Sequence, residues 1–129
     1  MPRKEKYEYA VVTISTDDTV HIIGHHDYHL TLDNLYEYTK CDTIQIVRFD
    51  TYAADPDVCM CIDDNGKLLH KPVNLIGTLL YGQYPRDFIV GDICIGTTFS
   101  PNPFDEPDMF AMDYALAEKL AQFLNSLKR

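Results

Sequence analysis

The chain has no tryptophan, few cations (11 lysines and arginines against 20 aspartates and glutamates) and no apolar run as long as a membrane span. Each shortage excludes something. A net charge of −9 opposes direct nucleic-acid binding, whose affinity comes largely from cations neutralising phosphates, and it disfavours anionic membrane surfaces too. The four cysteines, Cys41, Cys59, Cys61 and Cys94, lack the C-x-x-C spacing of a zinc site. The polar start Met1-Pro2-Arg3-Lys4-Glu5-Lys6 has no apolar stretch behind it of the kind that marks a secretory signal. The expectation is a cytoplasmic protein with four reduced, mostly buried thiols and no cofactor.

What is present suits one globular domain over 1–129. That length carries a real core, and 46% of the residues are apolar. Nine tyrosines supply rings with a polar tip, suited to interfaces as well as to packing. The negative field favours solubility and attracts basic partners.

The pattern along the chain predicts an α+β fold: a small mixed or antiparallel sheet with an N-terminal hairpin, two short helices and a long C-terminal helix. After the polar tail 1–6, an α+β core is expected over 7–98. Residues 7–14 and 19–23 read as the hairpin, turning at Ser15-Thr16-Asp17-Asp18. Thr31 is placed to cap a helix whose buried stripe is Leu32, Leu35, Tyr36 and Thr39. Strands follow at 43–49 and 58–62. Asn65-Gly66 predicts a hairpin turn back into a strand at 67–70, because both residues tolerate positive φ. Pro72 suits the start of a short helix ending near Tyr81 and Gly82. Residues 88–98 form the most apolar strand, expected at the centre of the sheet. Pro101, Pro103 and Pro107 make 99–107 a loop, since a proline cannot donate to a ladder. Met109, Met112, Leu116, Leu120, Phe123 and Leu127 then recur at steps of three and four, which predicts a helix over 108–128.

No motif supports catalysis. Ser15, Ser100 and Ser126 lack a nucleophile elbow, and Gly91 and Gly96 do not lead into a helix as a phosphate loop would. Asp17-Asp18, Asp63-Asp64 and Asp105-Glu106 stand where turn or cap chemistry already explains them, and the ligands of a calcium loop are missing after Asn65. His25, His26 and His29, with His21 nearby, are weak metal candidates, because imidazole is a versatile ligand but no cysteine lies close and the segment reads as a loop. No metal site is predicted.

Binding chemistry remains. Tyr81-Gly82-Gln83-Tyr84-Pro85-Arg86 puts two aromatic rings and a guanidinium in one connection, and the later loop adds Asn102 and Phe104. Rings beside an arginine and an amide can sandwich a base and hold a phosphate, or dock a protein. The competing reading packs Tyr81 in the core and pairs Arg86 with Asp87. With Arg48 and Asn74 these seven residues form the candidate ligand set.

From residue 30 to about 96 the order of features resembles a family of small phage and plasmid domains, the domain-of-unknown-function family numbered 3846. The resemblance is carried by Leu32-Asp33-Asn34-Leu35-Tyr36, Ile44-Gln45-Ile46-Val47, Cys61-Ile62-Asp63-Asp64-Asn65-Gly66-Lys67-Leu68, Lys71-Pro72-Val73-Asn74 and Ile89-Val90-Gly91-Asp92-Ile93. The chain departs from the pattern at Cys41-Asp42, where members often carry a glycine pair, and adds the hairpin in front and the helix behind. The resemblance implies a mobile-element setting inside a bacterial host and supplies no activity. Asn74 matches the pattern, and its side chain is expected to bond a neighbouring turn at least as readily as a ligand.

Two classes of function are expected. The first is a non-enzymatic binding protein that sequesters a small nucleotide-derived signal, as in counter-defence. The second is an acidic protein-binding inhibitor or DNA mimic acting on a host protein. The apolar face of the last helix suits either a homodimer contact or packing on its own sheet.

Overall fold

A computed structural model describes residues 7–49, 58–83, 85–98 and 109–127. It is an α+β fold built on one antiparallel sheet. The elements are β1 (Tyr9–Ile14), β2 (Val20–His25), α1 (Leu32–Thr39), β3 (Ile44–Arg48), β4 (Val58–Asp63), α2 (Leu75–Tyr81), β5 (Ile93–Thr98), β6 (Met109–Phe110), β7 (Met112–Asp113) and α3 (Tyr114–Ser126).

The strands run in the order β2-β1-β5-β4-β3, with β6 added to β5 and β7 to β1. β5, the strand expected at the centre, lies between β1 and β4. β-branched residues fill it and its neighbours because they pack well on a pleated surface. Alternation along the strands divides the core in two. Ala10, Val12, Ile14, Met60, Ile93 and Ile95 face α2 and α3, where Ile76, Leu80, Ala117, Leu120 and Leu124 meet them. Val11, Cys59, Cys61 and Cys94 face the other way, toward Leu35 of α1. A sheet covered by helices on both faces explains why β1 and β4 are buried along nearly their whole length.

Local signals set the first two helices. Thr31 accepts from the Asn34 amide while Asn34 returns a bond to the Thr31 amide, closing a capping box. Gly82 caps α2 at φ 79, a conformation that favours glycine. Leu32, expected in the stripe of α1, is instead exposed, while Leu35 and Thr39 are buried.

Four other expectations are corrected. Residues 67–70 are not a strand: Gly66, Leu69 and Lys71 donate backwards to Asp63, Asn65 and Gly66, coiling 63–71 into successive turns. The hairpin fails because both edges of β4 are already taken by β3 and β5. α2 begins at Leu75, three residues after Pro72, because Val73 is still bridged to Val90 and Asn74 is the cap. The central strand starts at Ile93, since Gly91 at φ 80 turns the chain just before it. The last helix starts at Tyr114, and 109–113 is extended. Met109 and Met112, three apart, look helical in sequence, yet one packs on the α1 side of the sheet and the other on the α2–α3 side.

α3 lays Ala117, Leu120, Ala121 and Leu124 inward, within the layer that covers β1. Its apolar face is therefore occupied by the chain's own sheet. No helix among the described residues is long and apolar enough to cross a membrane.

Candidate functional site

Lysine–carboxylate pairs tie the turns of 63–71, the connection 85–92 and the end of α1 to one another, and Thr78 ties α2 to that connection through Ile89. Lys71 Nζ stands 2.5 Å from Asp63 Oδ2, whose side chain is buried, and also donates to the Lys40 carbonyl at 3.1 Å. Lys40, at the left-handed end of α1, pairs with Asp92. Lys67 pairs with Asp87 and lies 4.6 Å above the centre of the Phe88 ring. The Lys67 ammonium and the Phe88 amide hold the Asp87 carboxyl below its usual range. Asp63 Oδ1 accepts from the Asn65 amide at 2.8 Å, and Asn65 reaches Thr43 at 2.9 Å, so the turn is anchored to the start of β3.

Three recesses border these segments. A cleft of about 140 Å³ lies among Gln45, Ile62, Asp64, Lys67, Tyr81 and Phe88. A broad depression of about 640 Å³ carries Tyr36, Lys40, Cys41, Leu69 and Lys71, and shares Asp63 with the cleft. A wholly apolar recess of about 250 Å³ is formed by Val73, Leu75, Thr78, Leu79 and Phe88, and shares Phe88 with the cleft. The depression, bordered by α1 across the sheet, shares with the cleft only the buried Asp63, so the cleft and the apolar recess, joined at Phe88, form the face that α2 borders.

Its apolar character is the unusual feature. Of the eight large hydrophobic residues exposed among those described, six fall between 68 and 88: Leu68, Leu69, Val73, Leu75, Leu79 and Phe88. α2 is the reason. Ile76 and Leu80 enter the core while Leu75, at 57% exposure, and Leu79, at 48%, face out, so the helix is apolar around its circumference. Such a helix ordinarily has a partner on each side. The signal was present in the spelling Leu75-Ile76-Gly77-Thr78-Leu79-Leu80, where no polar face appears.

The residues expected to bind ligand are dispersed. Tyr81 is half-buried on the wall of the cleft. Arg86 is exposed, and Asp87, its expected partner, pairs with Lys67. Arg48 ends β3 opposite Cys59. Tyr84, Asn102 and Phe104 lie outside the described residues. Asn74 is fully buried and fully used: Nδ2 donates to the Ile14 and Gly91 carbonyls, each at 2.9 Å, and Oδ1 accepts from the Gly77 amide at 2.9 Å. It clamps α2 to the end of β1 and to the turn before β5.

The histidines are engaged separately. His25 bonds Tyr38 at 2.8 Å, His26 lies against Tyr7, and His29 stacks on Tyr28 with ring centres 4.3 Å apart. Burial pushes the His25 pKa down and the Tyr38 pKa up. Among the described residues no group of three or more His, Cys, Asp or Glu side chains is placed to hold a metal ion. No disulfide joins the four cysteines; Cys41 is half-exposed and the others are buried. Burial drives the Cys61 thiol up to about 12 and raises Cys94 well above its ordinary value, which makes both inert as nucleophiles.

No family model, curated protein or solved structure matches the chain.

Proposed function

We propose that this chain is a non-enzymatic binding protein that works through the face formed by 63–71, α2 and 85–92, and that what it binds is a protein surface. The observation that carries the reading is the cluster of exposed Val73, Leu75, Leu79 and Phe88 around one apolar recess. Clustered exposure of that kind marks protein contacts, whereas single exposed leucines do not. The small-ligand alternative has less room in the cleft, which near 140 Å³ falls short of the roughly 300 Å³ at which ligand pockets begin. In the mobile-element setting implied by the resemblance, the protein acts in the cytoplasm of a bacterial host, and protein contact is favoured over signal capture.

Capture of a nucleotide-like molecule is the second reading. It has one observation in its favour, the depression holding Tyr36, Lys40 and Lys71. Each ammonium has three protons, and the bonds described leave two on Lys40 and one on Lys71 for a phosphate. Against it stand the shallow form of the depression and a −9 field that repels anions.

Two measurements separate the readings. Wild-type protein and Leu79→Asp are used as baits in a bacterial lysate, and a partner retained by the first and lost by the second supports protein docking. The purified protein is also incubated with a panel of nucleotides, freed of excess, denatured and analysed by mass spectrometry. Intact nucleotide recovered at stoichiometric yield would replace the first reading with the second, and altered nucleotide would make the protein an enzyme.

A further inference from the structure

We infer that the apolar face of α2 is the contact of a symmetric pair, its occupant a second copy of this chain. The inference rests on the reading that this face docks a protein, and it names that protein. A two-fold contact sets the same patch against itself, so one patch must offer both a projection and a hole. This one does. Leu75 and Leu79 project from α2, four residues apart and therefore on one side of the helix, and both also border the apolar recess of about 250 Å³ closed by Val73 and Phe88. The recess has room for a leucine side chain. Crossing two copies of α2 about a two-fold axis would set the leucines of each against the recess of the other.

Charge selects the same occupant. Residues 63–92, which hold this face, carry Lys67, Lys71 and Arg86 against Asp63, Asp64, Asp87 and Asp92, a net of −1 in a chain of −9, so the remainder sums to −8. Two copies repel each other over most of their surfaces, and the repulsion is least where each presents this stretch. The stretch also has both signs available, with Arg86 exposed beside Asp87, so a second copy supplies a complement without any new chemistry. A basic partner would be drawn to the acidic remainder and away from this stretch. The other long apolar face, on α3, is already consumed within the domain.

The test is sedimentation velocity of the full chain from low to high micromolar concentration, at low and at high salt. A monomer–dimer equilibrium is expected, tightening as salt screens the repulsion between acidic bodies. Leu79→Asp and, independently, Leu75→Ser should each weaken it at least tenfold. Leu32→Asp, an equally exposed leucine on the opposite side of the sheet, should leave it unchanged. Far-ultraviolet circular dichroism confirms that each variant is folded; two variants at separate positions keep the test open if one is not. A monomer at every concentration and salt overturns the inference, as does a dimer loosened by salt or indifferent to both α2 substitutions. If the wild type is monomeric while Leu79→Asp still abolishes capture of a foreign protein, self-pairing fails and protein docking stands. If neither effect is seen, both fail.

Discussion

Replacing Asn74 tests whether one buried amide holds α2 in place. Three bonds of 2.9 Å leave the side chain, to the carbonyls of Ile14 and Gly91 and from the amide of Gly77. Asn74→Ala removes a helix cap, worth ~1 kcal/mol. It also strips the amide donors from two buried carbonyl oxygens, each costing ~1–2 kcal/mol where water cannot replace the donor. The sum is about 4 kcal/mol. With an unfolding entropy of about 2.1 cal/mol/K per residue over 129 residues, Tm should fall by about 15 °C. Asn74→Asp separates the components, because it keeps the acceptor for Gly77 and places an ionised carboxylate against two carbonyls. The folded state then raises the pKa of the introduced carboxyl above its unfolded value near 3.9. The folded form binds the proton more tightly, so this variant should recover stability as pH falls from 7 toward 5. Urea unfolding at several pH values measures both effects. An Asn74→Ala variant within about 1 kcal/mol of the wild type, at equal m-value, would refute the reasoning.

Other consequences are simpler to check. Gly96→Ala should be severely destabilising, since its Cβ would sit 2.4 Å from the Phe110 carbonyl, and thermal melts should show no cooperative transition near that of the wild type. Iodoacetamide applied to the native protein at mildly alkaline pH should give a single adduct on Cys41, because Cys59, Cys61 and Cys94 are buried; prompt labelling of a second thiol would contradict the packing. Burial lowers the His25 pKa, so the unfolded chain takes up a proton first and the stabilising contribution of neutral His25 is present above pH 6.5 and lost as pH falls below it. Urea unfolding at pH 7.5 and 5.5 should show a loss that shrinks in His25→Gln, and an unchanged difference would remove His25 as the cause.

Legibility followed the distance over which each feature is decided. Thr31 stands beside the turn it caps, so the start of α1 could be read directly, while the return bond between Asn34 and the Thr31 amide appeared only in the structure. The central place of β5 followed from Ile93-Cys94-Ile95, whose apolar run needs cover on both faces. Asn65-Gly66 misled, because a turn makes a hairpin only where an edge is free, and whether β4 has an edge depends on strands far away in sequence. Met109 and Met112 misled for a related reason. They stand three positions apart, a spacing that matches one helical turn and equally the two sides of a strand bound to β5 and β1.

The candidate surface was legible only in part. Tyr81 could be selected from its neighbours, and it does border the cleft. Asn74 could be selected too, yet its bonds run to Ile14 and Gly91, partners 60 and 17 residues away. The lysine pairs with Asp63, Asp87 and Asp92 join residues 8, 20 and 52 positions apart, and no local pattern announces them.

By itself the amino-acid order determined the fold class, the first hairpin, the capped helix and the acidic field, because these arise from short-range periodicity, cap chemistry and net charge. Only the tertiary structure decided which apolar residues stayed outside. α2 is apolar on every side, and the sheet buries one of them, so the arrangement of the other elements leaves Leu75 and Leu79 facing water.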